Sequence, residues 1–342
     1  MIRFFLLVIG ILFVVGIALT GSFVWDGFFL SPEKDAVEFV MEIPSGASVD
    51  AIARMLEEQE VITSRFFFKG YVKLVGAQAE LQAGEFALKK GMSLRDVVQK
   101  LERAEVLETQ VTIPEGYTIQ QIGTVVTLAF PNIHESDWKA MTDRASEVSV
   151  EGVSQGIPVG QSLEGYLFPD TYRFRNEVDA KTVVSTMLLT LTRRLAENKI
   201  LIPDSNNLMM SNGMTFHEVL TLASIVEREV RSPEDMAHVA GIFLTRLKIG
   251  MALQADSTVN YVTGKKDAAV SLEDSRVESL YNTYKHLGLP PGPISNPGMN
   301  AIKAVLEPTD SDDLYFLTTP EGKVIYASTF GEHVTNKGKY LR

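Results

Sequence analysis

The sequence of 342 residues contains no cysteine. This absence excludes disulfide frameworks, thiolate zinc sites and cysteine nucleophiles. Positive charge is also scarce, because 32 Lys and Arg stand against 43 Asp and Glu, which gives a net charge of −11. General binding to a phosphate backbone needs clustered Lys and Arg, so the composition predicts no nucleic acid partner.

Several common catalytic signatures are missing as well. The five histidines are scattered, and no two lie three or four residues apart, as the ligands of a helical zinc site would. No glycine-rich phosphate loop precedes a helix, and no Gly-x-Ser-x-Gly elbow occurs. The sequence therefore predicts neither a metal nor a cofactor.

Against this background, one long apolar run stands out. The 21 residues from Phe4 to Val24 carry no charge and are flanked by Arg3 and Asp26. A helix of this length spans roughly 30 Å, the thickness of a hydrocarbon core. Basic residues prefer the cytoplasmic side, so the run predicts a single-pass membrane protein with a cytoplasmic N-terminus and residues 30–342 outside the cytoplasm. A cleaved signal peptide is the alternative.

The rest of the chain has 45% hydrophobic residues overall and is long enough for two folded units. A short pattern of Gly followed by Ser or Thr and then helical apolar spacing occurs three times, at 45–52, 90–97 and 115–122. Ser93 with Asp96 and Thr118 with Gln121 have the spacing of helix caps. These strand–turn–helix units, without regular alternation of strands and helices, predict an α+β fold.

The predicted helix over Thr215–Val230 contains an acidic residue in an unusual place. At 100° per residue, Glu227 falls between Leu220 and Ala223, inside the apolar arc of the helix. A carboxylate on an apolar face has its pKa raised by desolvation, as a general acid near neutral pH requires. A buried ion pair, or an edge residue that reaches solvent, would explain the same pattern.

Three other segments carry polar and aromatic residues suited to binding sugars. The first, Leu163–Tyr172, combines Glu164 and Asp170 with the aromatic residues Tyr166, Phe168 and Tyr172, which could stack on sugar rings. The second is the polar stretch Leu253–Tyr261. The third is Tyr281–Ile294, which prolines stiffen. Ordinary turns and core aromatics have similar compositions.

Together these four segments resemble the YceG-like endolytic murein transglycosylases, the MltG family. The resemblance rests on Leu-Ala-Ser-Ile-Val-Glu-Arg-Glu at 222–229, Leu-Glu-Gly-Tyr-Leu-Phe-Pro-Asp-Thr-Tyr at 163–172, Leu-Gln-Ala-Asp-Ser-Thr at 253–258 and the loop at 281–294. It implies a lyase that cuts the β-1,4 bond between N-acetylmuramic acid and N-acetylglucosamine in nascent peptidoglycan strands and leaves 1,6-anhydro ends.

The resemblance also implies roles for individual residues. Glu227 would be the catalytic acid and then the base. The substrate-binding residues would be Glu164, Tyr166, Gln254, Asp256, Ser257, Thr258, Asn282 and Tyr284. The resemblance further implies a single-pass protein of the inner membrane with the bulk of its chain in the periplasm, and cell-wall synthases as partners. Two alternatives remain open, namely a non-catalytic glycan-binding scaffold and a hydrolase that uses Glu164 together with Glu227.

Residues 37–105 resemble LysM-type modules, which are small βα units that bind N-acetylated glycans. The expected organisation is a cytoplasmic stub with a transmembrane helix at 1–29, a small LysM-like domain at 30–107 and a mixed α+β catalytic domain at 108–342.

Overall fold

The computed structural model describes residues 11, 14–17, 20–21, 23–25, 38–44, 46–103, 108–143, 153, 156–202, 210, 213–265 and 270–341. Within these residues the chain divides into two compact units, one up to Glu108 and the other from Thr109 onward.

In the part of the first unit from residue 38 onward, the structure describes β1 (Phe39–Ile43), α1 (Val49–Glu58), α2 (Arg65–Val75), a short 3-10 helix (Ala77–Ala79), β2 (Gly84–Leu88) and α3 (Leu94–Glu102). The strands pair antiparallel, with Met41 opposite Phe86, and both side chains enter the core of the unit. The hydroxyl of Ser48 accepts a hydrogen bond from the Ala51 backbone and caps α1. Ser93 caps α3 in the same way, as the repeated pattern predicts.

The second unit is larger. Its elements are β3 (Glu108–Thr112), α4 (Ile119–Ala129), α5 (Glu135–Thr142), β4 (Thr171–Arg175), α6 (Ala180–Glu197), α7 (Phe216–Glu229), α8 (Pro233–Lys248), α9 (Asp256–Thr263), α10 (Met299–Leu306), β5 (Tyr315–Thr318), β6 (Val324–Ala327) and α11 (Phe330–Tyr340). The strands described here form two-stranded sheets, β3 with β4 and β5 with β6. This is an α+β fold, as the sequence predicts.

Helix α7 lies at the centre of this unit. It packs against α8, α9 and α10, and its apolar residues are almost completely removed from solvent. Helix α7 needs these partners because apolar residues cover most of its circumference. The helix therefore provides a rigid base for residues in its last turn.

The prediction of a membrane-spanning helix over Phe4–Val24 is wrong. Among the described residues, none of the helices combines the length and the apolar character needed to cross a membrane. A crossing needs about 20 consecutive apolar residues in one helix. Much of the predicted span and its flank, including residues 1–10 and 26–37, lies outside the described residues. The predicted single-pass location in the inner membrane is therefore not supported.

Candidate active site

The candidate site is built around the last turn of α7. The helix begins at a capping box, in which Thr215 accepts a hydrogen bond from the Glu218 backbone and the Glu218 carboxylate accepts one from the Thr215 backbone. Glu218 therefore has a structural role at the start of the helix. Three turns later, Glu227 is half-buried.

The carboxyl group of Glu227 faces the backbone of Gly298, just before α10. The Gly298 N–H donates a hydrogen bond to Glu227 Oε2 at 3.0 Å. Removal from water raises the pKa of Glu227 to about 7, as its place on the apolar face predicts. The nearby charge of Glu115 adds to this rise, whereas the Gly298 N–H opposes it. Among the described residues, no hydrogen bond occupies the other carboxyl oxygen of Glu227.

The turn before α4 closes one side of the site. Gly116 adopts a positive φ of 75°, which a glycine tolerates without strain. Its N–H donates to the Asn296 carbonyl at 2.9 Å, and its carbonyl accepts from Arg228 Nη1 at 3.2 Å. The turn is thus fastened both to α7 and to the loop before α10. It also carries Glu115, a residue that the sequence analysis did not select.

Asn296 joins three segments of the site. Its side-chain amide donates to the Tyr117 carbonyl and to Glu164 Oε1, both at 2.9 Å. Its side-chain oxygen accepts from the Leu167 N–H at 2.8 Å. The residue is completely buried. Sequence reasoning missed it, because an asparagine in a proline-rich loop gives no signal of such a role.

Glu164 lies deeper than Glu227, with only 6% of its surface exposed. In addition to Asn296, the Ile119 N–H donates to Oε1 at 3.0 Å and the Tyr261 hydroxyl donates to Oε2 at 3.4 Å. Burial raises the pKa of Glu164 to about 8, although the hydrogen bonds to its carboxyl group, including one from the Gly165 backbone, oppose the rise. Both carboxyl oxygens are therefore engaged within the protein.

The aromatic residues of the same segment do not fit the stacking role expected of them. Tyr166 is completely buried, and its hydroxyl lies 2.9 Å from Nδ1 of His217. Phe168 and Tyr172 are each only 6% exposed. These rings offer no open face to a sugar, so they are packing residues. The positive φ of 87° at Gly165 brings this loop against Pro293, where a Cβ atom would overlap the proline ring.

The segment before α9 holds Gln254 in a strained conformation. Its φ of 50° is unusual for a residue other than glycine, and its side chain is exposed. Thr283 fixes the backbone, because its carbonyl accepts from the Gln254 N–H at 3.2 Å and its hydroxyl accepts from the Ala255 N–H at 3.0 Å. Strain that the surroundings impose in this way is typical of functional segments.

Three of the selected residues, Asp256, Ser257 and Tyr284, belong to a polar cluster beside the end of α7. The Tyr284 hydroxyl donates to Asp256 Oδ1, and burial together with the Asp256 charge raises the pKa of Tyr284. Ser257 donates to Glu229 Oε1 at 2.7 Å, and burial raises the pKa of Glu229. Through Glu229 the cluster reaches the helix two residues beyond Glu227.

Two further selected residues are inaccessible. Thr258 and Asn282 are completely buried. Thr258 bonds to Thr283, and the Asn282 amide donates to the carbonyls of Ser275 and Val277, both at 2.9 Å. Because neither side chain has exposed surface, neither is placed to contact a substrate directly. They support the loops that carry Gln254 and Tyr284.

Comparisons with known proteins match this chain to one family and to relatives that share one name. The profile of the YceG-like family matches residues 41–339. A Bacillus subtilis protein named endolytic murein transglycosylase is 35% identical over 336 residues, which is 94% of this chain and 90% of that protein. A Streptococcus pneumoniae protein of the same name (strain D39) is 32% identical over 329 residues, which is 87% of this chain but 58% of that protein.

A solved structure is similar as well. The 2.6 Å crystal structure of a yceG-like protein from Listeria monocytogenes is 33% identical to this chain, with a TM-score of 0.58. The match covers 89% of this chain and 100% of the other.

Proposed function

The chain belongs to the YceG-like family, and from this membership and the surroundings of Glu227 we propose that it is an endolytic transglycosylase of peptidoglycan. The bond cut would be the β-1,4 linkage between N-acetylmuramic acid and N-acetylglucosamine within a glycan strand. The observation that carries the proposal is a half-buried carboxyl group with a pKa of about 7 and one oxygen free of hydrogen bonds among the described residues.

The proposed reaction uses one protein carboxyl group twice. Protonated Glu227 gives its proton to the glycosidic oxygen as the bond from C1 of the muramoyl residue breaks. The resulting carboxylate then takes the proton of the muramoyl 6-hydroxyl while that oxygen bonds to C1. Glu227 ends protonated, no water is added, and the product carries a 1,6-anhydro ring. The substrate's own hydroxyl thus replaces the second carboxylate of ordinary glycosidases.

The geometry suits this double use. A pKa of about 7 leaves a substantial fraction of Glu227 protonated at neutral pH, and the conjugate base is strong enough to accept a proton. The Gly298 N–H holds one oxygen at 3.0 Å, which restrains the carboxyl group without neutralising it. Gln254, Asp256 and Tyr284 are the selected residues near this end of α7 that keep some exposure, so we assign sugar contacts to them.

A hydrolase that pairs Glu164 with Glu227 is less well supported. A second carboxylate would have to bind water or attack the sugar. Both oxygens of Glu164 already accept hydrogen bonds from the protein, and the residue is 6% exposed. The proposal therefore gives Glu164 the task of fixing the loops around the site.

We further propose that the first unit is a LysM-like module that binds the glycan. The order β1–α1–α2–β2, with the two strands antiparallel, supports this proposal. The test is binding of full-length protein to insoluble peptidoglycan, compared with a variant in which exposed residues of α1 are altered. Arg54→Ala should weaken the binding without changing the thermal midpoint, and unchanged binding for a series of such variants would reject the assignment.

Mass spectrometry of the reaction products tests the proposed activity. Full-length protein and Glu227→Gln would be incubated with uncrosslinked glycan strands. We expect anhydro-muramoyl ends from the wild type and none from Glu227→Gln. Reducing ends would indicate a hydrolase, and binding without cleavage by either protein would indicate a scaffold.

A further inference from the structure

Glu115 lies next to the carboxyl group to which the mechanism is assigned. Its carboxylate packs directly on Gly298, so closely that a Cβ atom at that position would overlap it. The N–H of the same glycine donates to Glu227 Oε2 at 3.0 Å. Both carboxylates therefore contact one residue that has no side chain to separate them.

This shared contact limits their separation. The bond lengths of Gly298, added to these two contacts, place Glu115 Oε1 at most about 8 Å from Glu227 Oε2. That distance does not exceed the screening length of about 8 Å at physiological ionic strength, so salt leaves much of the interaction intact. The Glu115 side chain is exposed, and its charge raises the pKa of Glu227.

The other charged groups on α7 and on the elements around it are hydrogen-bonded within the protein or exposed. Arg228, on the same helix, donates to the Gly116 carbonyl at 3.2 Å. Glu229, also on α7, accepts from Ser257, and Glu164 in the neighbouring loop accepts from Ile119 and Asn296. The charged groups on the packed helices α8, α9 and α10 are Asp235 bonded to Tyr326, His238 bonded to Ser311 and Asp313, Arg246 bonded to Leu253 and Leu314, Asp256 bonded to Tyr284, and the exposed Glu234, Lys248 and Lys303. Among the described groups, the charge that acts on the pKa of Glu227 is that of Glu115.

We propose that Glu115 is a positioning residue for the reaction, whose negative charge, held against Gly298, keeps the proton on Glu227 until the glycosidic oxygen takes it. The same charge acts again in the second half of the reaction. Once Glu227 is ionised, repulsion between the two carboxylates favours removal of the proton from the muramoyl 6-hydroxyl. This inference rests on the proposed function for its chemistry, but the electrostatic coupling itself does not depend on turnover.

The variant Glu115→Gln separates charge from packing, because glutamine has nearly the same shape. Full-length protein labelled with ¹³C at the Glu carboxyl carbon would be titrated by NMR, and the Glu227 signal identified by its loss in Glu227→Gln. We expect the Glu227 midpoint to move to lower pH in Glu115→Gln. The pH at which kcat/KM decreases on the basic side of its profile should move to lower values as well. The activity of Glu115→Gln should therefore be about fivefold lower than that of the wild type at pH 8 and little changed at pH 5.5.

Glu177→Gln is the matched control, because it removes another exposed carboxylate from the same unit. Glu177→Gln should change neither the titration midpoint of Glu227 nor the pH at which kcat/KM decreases. An unmoved Glu227 midpoint in Glu115→Gln would overturn the proposal, including the case in which activity falls equally at every pH. If wild-type protein released no anhydro ends, the proposed function would fail, and the NMR titration would still decide whether Glu115 acts on Glu227.

Discussion

Glu227 and Glu164 lie in the same unit, and burial raises the pKa of both, yet their surroundings differ. Glu164 is held by three donors from three different segments. Glu227 is held by one backbone N–H, and its other oxygen is free of hydrogen bonds among the described residues. Glu164 is 6% exposed, whereas Glu227 is half-buried.

The contrast shows that a raised pKa alone does not identify a catalytic acid. The pKa of Glu164 is raised further, to about 8, but its carboxyl group already serves as a junction between loops. Glu227 combines a pKa of about 7 with an oxygen left available for a substrate. On this account, Glu227 carries the chemistry and Glu164 maintains the shape of the site.

The largest effect is expected from Glu227→Gln. The amide can still accept the Gly298 N–H, but it cannot give a proton to the glycosidic oxygen. We expect cleavage of glycan strands to fall by about 10³-fold, with the thermal midpoint unchanged. Product release would be followed by chromatography and unfolding by circular dichroism. A variant that kept more than a tenth of the wild-type rate would remove Glu227 from the mechanism.

Glu164→Ala should lower the stability of the folded protein. The change leaves the donors from Ile119, Asn296 and Tyr261 without their acceptor, and we expect the free energy of unfolding to fall by about 3 kcal/mol. Urea denaturation would measure it. Glu164→Gln is the matched control, since its side-chain oxygen can accept from Ile119 and Asn296, and it should lose less than half as much. Equal losses for both variants would show that the acceptor is unimportant.

The pH dependence of stability should separate the two carboxyl groups. A folded-state pKa above the ordinary value means that the folded protein binds more protons than the unfolded chain. Stability contributed by such a group is complete at acidic pH and is lost as pH rises, through about 7 for Glu227 and about 8 for Glu164. Between pH 7 and 8, the free energy of unfolding should therefore decrease by about 1 kcal/mol less in Glu164→Gln than in the wild type. Urea titrations at several pH values would reveal it, and an unchanged slope would contradict the assignment.

The smallest effect is expected from Tyr261→Phe. Its hydroxyl makes the longest of the three bonds to Glu164, at 3.4 Å. We expect less than about 1 kcal/mol of lost stability and no change in the cleavage rate. A large loss of activity with normal stability would instead place the Tyr261 hydroxyl, and through it Glu164, in direct contact with the reaction.

Local rules predicted much of the fold. The helix caps at Ser93 and Thr118 are present where the sequence places them. The helix predicted over Thr215–Val230 is present at Phe216–Glu229. These features depend on neighbouring residues, so a single sequence contains the information. The membrane-spanning helix was predicted by the same kind of rule and is contradicted, because no helix among the described residues is long and apolar enough to cross a membrane.

The site was predictable only in part. The helical wheel selected Glu227 because the direction of a side chain on a helix follows from its spacing. Glu115 and Asn296 were missed because their roles arise from contacts across the chain, such as that between Glu115 and Gly298. The burial of Tyr166 could not be foreseen either, since its aromatic loop looks the same whether it faces a core or a sugar.

The central claim is that, of two carboxyl groups with raised pKa values, Glu227 alone performs the chemistry. The most direct test compares Glu227→Gln and Glu164→Gln in one assay at pH 6, with both proteins shown to be folded. We predict that Glu164→Gln retains most of the wild-type cleavage rate and still releases anhydro-muramoyl ends, while Glu227→Gln releases none. Comparable loss of cleavage in both variants, with normal folding, would contradict the account.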